Sequence, residues 1–142
     1  MGDLLDKVET FYARFAEGDL DAAGEILDPN VENVDPSGTL IGADAYKAYG
    51  AAFKRAFPDS RMTVLAAAES GDVVAVEGVY SGTHTGPLAT PMGEIPATGR
   101  SLALPYADIF RFEDGSVVAH HVYYDQATFM QQLGLAPEPA AP

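Results

Sequence analysis

The sequence predicts an α+β domain: a cone-shaped, curved antiparallel sheet with N-terminal helices packed on one face, enclosing a pocket. Three observations lead there. Within the first 57 residues, apolar residues recur at helical spacing in segments such as 4–15 and 42–57. From 61 to 125 the period changes to two, and clusters of Gly, Pro, Asp and Ser separate the segments. Helices followed by an antiparallel meander put the helices on one sheet face, and a curved sheet covered in this way leaves a cavity. The 142 residues suit one domain, expected over 1–134, with 135–142 as a disordered tail.

Each element has its own signal. Leu4, Leu5, Val8, Phe11, Tyr12 and Phe15 form the apolar stripe of a first helix, and Gly18 is its expected C-terminal stop. Asp19 is placed to cap a second helix from Leu20 to Leu27, which Asp28-Pro29 ends. Val31 to Val34 reads as a short strand running into the turn Asp35-Pro36-Ser37-Gly38. A third helix spans Gly42 to Phe57, and Pro58 stops it. Strands follow at Arg61 to Glu69 and Val73 to His84. The Pro- and Gly-rich stretch from Thr85 to Thr98 reads as a mobile loop. Gly99 to Phe112 and Ser116 to Asp125 form a hairpin around Glu113-Asp114-Gly115, and Gln126 to Leu133 is a last short helix.

Composition narrows the function. Net charge is −13 and only eight residues are Lys or Arg, too few for a phosphate-tracking surface, so neither nucleic acid nor an anionic membrane is an expected partner. The chain has no cysteine, which removes disulfides, thiolate metal sites and a Cys nucleophile. Charges interrupt the opening MGDLLDKVETF where a signal peptide needs an apolar core, so a cytoplasmic location is expected. His120 and His121 are adjacent on a strand and point to opposite faces, so no metal site is expected from them with His84. The Gly-rich loop lacks phosphate-binding spacing, and no cofactor is expected.

The candidate site residues cluster on the last hairpin. Asp125 ends the last strand before a helix, where it can cap that helix or act as a general acid or base. If Asp125 faces the pocket, strand alternation puts His121 and Tyr123 beside it. Val118, His120, Val122 and Tyr124 then face outward, a surface expected to be covered in a homodimer. Leu104, Tyr106, Asp108, Phe110 and Phe112 share one face of the preceding strand. Asp108 among these aromatics must be paired, hydrogen-bonded or neutral, as a structural acid or a catalyst. Asp35 is explained by its turn unless it lies over the pocket. Tyr106, Tyr123, Tyr12, Phe53, Phe110 and His84 are the expected substrate-binding lining.

The chain resembles the SnoaL-like polyketide cyclases of the nuclear transport factor 2-like superfamily. The resemblance rests on Phe11-Tyr12 to Gly18-Asp19-Leu20, Asp35-Pro36 to Gly42, Gly82-Thr83-His84-Thr85-Gly86 and Pro96-Ala97-Thr98-Gly99-Arg100. It continues through Asp108-Ile109-Phe110-Arg111-Phe112 and is most specific from Tyr124-Asp125 to Gln132-Leu133-Gly134. It implies a metal- and cofactor-free intramolecular aldol closure, with the acid/base aspartate at Asp125. The chain is also similar to ketosteroid isomerase, which implies a proton-shuttling Asp35 and a protonated oxyanion-hole Asp108; that enzyme is a worked example of pKa tuning. In that comparison Phe11 takes the place of the oxyanion tyrosine, and Tyr12, one helical step on, is expected to point elsewhere.

These observations describe a cofactor-independent acid/base enzyme acting on a hydrophobic, carbonyl-bearing small molecule. The alternatives are a non-catalytic small-molecule-binding or accessory protein, or an isomerase, dehydratase or epoxide hydrolase on the same scaffold.

Overall fold

The computed structural model describes residues 2–90 and 93–135. The tail expected to be disordered lies, apart from residue 135, outside the described residues. Helix α1 (Asp3–Ala16) buries Val8, Phe11, Tyr12 and Phe15, and Gly18 past its end adopts φ 80°. Only glycine takes that left-handed turn without strain, which is why the helix stops there. Asp19 caps α2 (Leu20–Ala23) by accepting from the Ala22 amide at 3.0 Å. The second helix is shorter than expected, because Gly24–Ile26 tightens into a 3-10 turn and Leu27 already belongs to a strand.

Strand β1 runs from Leu27 to Asp35 and continues through Pro29. Its register on the neighbouring strand breaks between Leu27 and Glu32, so the missing proline N–H costs no ladder bond. A short, wholly exposed strand β2 (Gly38–Ile41) follows the turn and escapes periodicity because it has no buried face. Helix α3 (Ala43–Ala56) crosses the sheet. Then come β3 (Arg61–Ser70) and β4 (Val73–Thr83). The stretch read as a mobile loop contains a small ribbon, β5 (Leu88–Thr90) paired with β6 (Gly93–Ile95). Leu88 is buried there, and Thr85 and Gly86 donate backbone bonds to the Ala56 carbonyl at the end of α3. Strands β7 (Ser101–Glu113) and β8 (Ser116–Tyr124) and helix α4 (Gln126–Gln132) complete the chain.

The main sheet has the order β2-β1-β8-β7-β4-β3. It is mixed, not purely antiparallel, since β1 runs parallel to β8 while the other pairs are antiparallel. Along β7 every second residue from Leu102 to Phe112 is buried, Asp108 included. That inner face meets the apolar sides of the helices. Among the described residues, no helix is long and apolar enough to cross a membrane.

The β7–β8 hairpin carries the decisive irregularity. Glu113 pairs with Ser116 and Phe112 with Val117, but Arg111 pairs with Ala119, so Val118 is an extra residue. Side chains alternate strictly along a strand, so one inserted residue reverses the facing of everything after it. His120 is therefore buried opposite Phe110, and Val122 sits opposite Asp108. His121 and Tyr123 lie on the outer face. The surface expected to form a homodimer, carrying His120, Val122 and Tyr124, is in fact interior lining and is unavailable to a partner.

Candidate functional site

The cavity lies between the inner sheet face and helices α1, α3 and α4. It spans about 620 Å³ with the open solvent at its mouth included. Tyr49 and Phe53 of α3 and Phe129 of α4 wall one side. Leu104, Tyr106 and Asp108 of β7, with His120, Val122 and Tyr124 of β8, wall the other. The lining is aromatic and aliphatic apart from tyrosine hydroxyls, one imidazole and one carboxylate.

That carboxylate belongs to Asp108, which is 2% exposed. Tyr12 reaches across from α1 and donates its hydroxyl to Asp108 Oδ2. His120 Nε2 stands 3.7 Å from the same oxygen. Asp108 Oδ1 is buried with no hydrogen-bond partner among the described residues. Such an oxygen is an acceptor with its capacity unused. The imidazole is fixed in orientation, stacked on Phe110 at 4.4 Å and edge-on to Tyr46 at 5.5 Å. Burial, then the nearby Asp108 charge, pushes the Tyr106 hydroxyl up to about 12. Burial and the same carboxylate push Tyr12 and Tyr46 well above the ordinary tyrosine range. All three hydroxyls therefore remain protonated donors at neutral pH.

Asp35 approaches the same region from β1. Its Oδ1 accepts from the Ser37 amide at 2.7 Å and the Ser37 hydroxyl at 2.6 Å, the expected turn bonds. It also borders a smaller chamber that shares Tyr46, Tyr49, His120 and Val122 with the main cavity. Burial first, and its negative charge second, raise Tyr124; burial, Tyr124 and then Asp35 raise Tyr49.

The structure thus gathers Asp108, Tyr106 and Phe53 in the cavity, with Asp35 beside it and Tyr12 behind Asp108. The expectation that Tyr12 points elsewhere is corrected, since Tyr12, not Phe11, supplies the tyrosine hydroxyl, while Phe11 packs in the core against Phe110. Several other expected site residues are elsewhere. Asp125 is exposed and caps α4, accepting from the Ala127 amide at 2.9 Å and the Thr128 hydroxyl at 3.0 Å. It is absent from the cavity wall, so the cap reading holds and the pocket-facing one does not. His121 pairs with Glu32 at 3.0 Å on the outer face. Tyr123 is 55% exposed on that same face. Phe110 is core beneath His120. His84 is fully buried away from the cavity, stacked on Phe57 with Nδ1 3.0 Å from the Thr98 hydroxyl. Burial lowers its pKa.

His120, Tyr46, Tyr49 and Tyr124 were missed as site residues. For His120 and Tyr124 the cause is the Val118 bulge, because a regular hairpin would set His121 opposite Asp108. The helical stripe of Tyr46, Tyr49 and Phe53 was visible, but spacing alone did not separate core from cavity wall.

Comparisons with known proteins agree with this fold. The family model of the SnoaL-like polyketide cyclases matches residues 6–133. No curated protein matches the chain. Among solved structures, IdmH from Streptomyces antibioticus, described as a candidate polyketide cyclase, is 28% identical with a TM-score of 0.77, over 94% of this chain and 99% of that one. TsrD from Streptomyces laurentii is 26% identical with a TM-score of 0.81, over 94% and 96%. A candidate SnoaL-like polyketide cyclase from Jannaschia sp. CCS1, at 21% identity, shares the fold with a TM-score of 0.82 over 94% and 93%.

Proposed function

Because the chain belongs to the SnoaL-like polyketide cyclase family, we propose that it is an acid–base enzyme closing a ring in a hydrophobic, multiply carbonyl-bearing substrate, with Asp108 as its base. The observation that carries this reading is the free Oδ1 of Asp108, buried in an otherwise apolar wall. A carboxylate so placed is held by Tyr12 on one oxygen and has no partner among the described residues on the other.

The chemistry follows from the neighbours. Asp108 Oδ1 takes a proton from a carbon beside a substrate carbonyl. The Tyr106 hydroxyl, on the same strand face, donates a hydrogen bond to the developing enolate oxygen. The enolate carbon attacks a second carbonyl carbon of the same molecule, forming the C–C bond. The new alkoxide takes the proton back from Asp108, directly or through His120. Every proton and electron pair is thereby accounted for. The apolar walls exclude water, which would otherwise compete for the carboxylate.

Turnover of poly-β-ketone substrates tests this. Asp108→Asn is expected to lose roughly 10²- to 10⁴-fold in kcat, while Asp125→Asn, which preserves the cap, stays near wild type. Equal turnover by Asp108→Asn and wild type would remove Asp108 from the mechanism. Tight binding of such compounds with no turnover by wild type would make the protein a carrier instead.

A further inference from the structure

The smaller chamber next to the cavity, about 260 Å³ with adjoining open solvent included, is built differently from the main one. Asn33 and Asp35 of β1 form part of its wall, with Leu40, Tyr49 and His120. Asn33 is 7% exposed. Its Nδ2 donates to the Leu40 carbonyl at 3.1 Å and the Gly42 carbonyl at 3.3 Å. Those two acceptors fix the amide, since the reverse orientation would set oxygen against two carbonyl oxygens. Asn33 Oδ1 is left buried with no hydrogen-bond partner among the described residues. In the parallel ladder Asn33 pairs with His120, so the two side chains stand side by side on the inner face. Both His120 ring nitrogens are also without a hydrogen-bond partner there.

A buried acceptor without a donor costs stability, and folds retain such groups where something completes them. Asn33 Oδ1 and the Asp35 carboxylate only accept. A complementary ligand group must donate. From these observations we infer that the smaller chamber is the polar end of the substrate cavity, and that it takes a hydroxyl group on the substrate, which donates to Asn33 Oδ1 beside His120. The inference rests on the proposed small-molecule reading and adds the substrate class: a ring system in the aromatic chamber with a hydroxyl at the Asn33 end. Asn33 is on this account a specificity residue that need not touch the reacting carbon.

Binding, measured without turnover, separates this inference from the catalytic reading. The probes are 2-naphthol, which donates, and 2-methoxynaphthalene, which has the same ring and cannot. Wild type is expected to bind the naphthol about tenfold more tightly, the gain of one buried hydrogen bond. Asn33→Leu should bring the two affinities together. Because Asn33→Leu also removes two structural bonds, Val122→Phe provides a second route, filling the chamber from the shared wall. Equal affinities in wild type, or a preference that survives both Asn33→Leu and Val122→Phe, would overturn the inference even if the enzyme proves catalytic. A preference lost in these variants would uphold it even if Asp108→Asn retained full turnover.

Discussion

Asp108 and Asp125 are the same residue type with opposite commitments. Asp125 accepts bonds on both oxygens from the first turn of α4 and sits in water. Asp108, which lines the cavity, spends one oxygen on Tyr12 and has no hydrogen-bond partner for the other among the described residues. Two expectations follow. Asp125→Ala should lower stability by about 1 kcal/mol through the lost cap, with Asp125→Asn close to neutral, in urea unfolding. Tyr12→Phe should cost about 2 kcal/mol, the usual worth of a hydrogen bond to a charged group, and should lower kcat as well, because the Asp108 carboxylate loses its fixed orientation. At this scale the sequence identified the right residue types. It could not rank them, because exposure and partner count are not written in spacing.

The strands and helices show where legibility ended. Helices α1 and α3 and strands β3, β4 and β7 follow from their apolar periods, and the Asp114-Gly115 hairpin from its turn residues, with Asp114 at φ 51° and Gly115 at φ 82°. The facing of β8 did not follow. Val118 carries no sequence mark of a bulge, and alternation from an inward-facing Asp125 puts His121 and Tyr123 inside. The stretch Gln132-Leu133-Gly134 also gains a physical meaning. Beyond the end of β8, the Gln132 amide completes the ladder of β7, donating to the Ala103 carbonyl at 2.9 Å and accepting from its N–H at 2.8 Å. Leu133 is buried and Gly134 takes φ 72° to end α4. The motif docks a helix whose Phe129 walls the cavity, so it belongs to the architecture of the site and not to its chemistry. Gly78 of β4 has a comparable role, because a Cβ there would stand 2.5 Å from the Thr63 carbonyl and 2.8 Å from the Tyr106 hydroxyl. Gly78→Ala should therefore displace Tyr106, costing about 1–3 kcal/mol by overpacking. Thermal unfolding with parallel kinetics would register both losses.

For the whole molecule, the cavity is a joint product of the curved sheet and three helices, and its tyrosines couple it to pH. Tyr106 and Tyr80 are both pushed up to about 12, chiefly by burial. A tyrosine whose folded pKa exceeds its unfolded value near 10 keeps its full contribution to stability below that unfolded value. In the window from 10 to about 12 the unfolded chain has released the proton while the folded one holds it, so stability falls as pH rises. Melting temperature should be insensitive to these groups from pH 7 to about 10 and drop across that window, with tyrosinate absorbance rising as the fold is lost.

On the proposed reading, proton transfer belongs to Asp108, which lines the cavity, and not to Asp125, which caps α4 in solvent. The most direct measurement is enzyme-dependent exchange of the α-hydrogens of a bound aryl methyl ketone, such as 2-acetylnaphthalene, in D2O by NMR. It reads proton abstraction alone and needs no knowledge of the natural substrate. Wild type and Asp125→Asn should exchange at similar rates, and Asp108→Asn should fall to the uncatalysed rate. Exchange that persists in Asp108→Asn and disappears in Asp125→Asn would contradict the account.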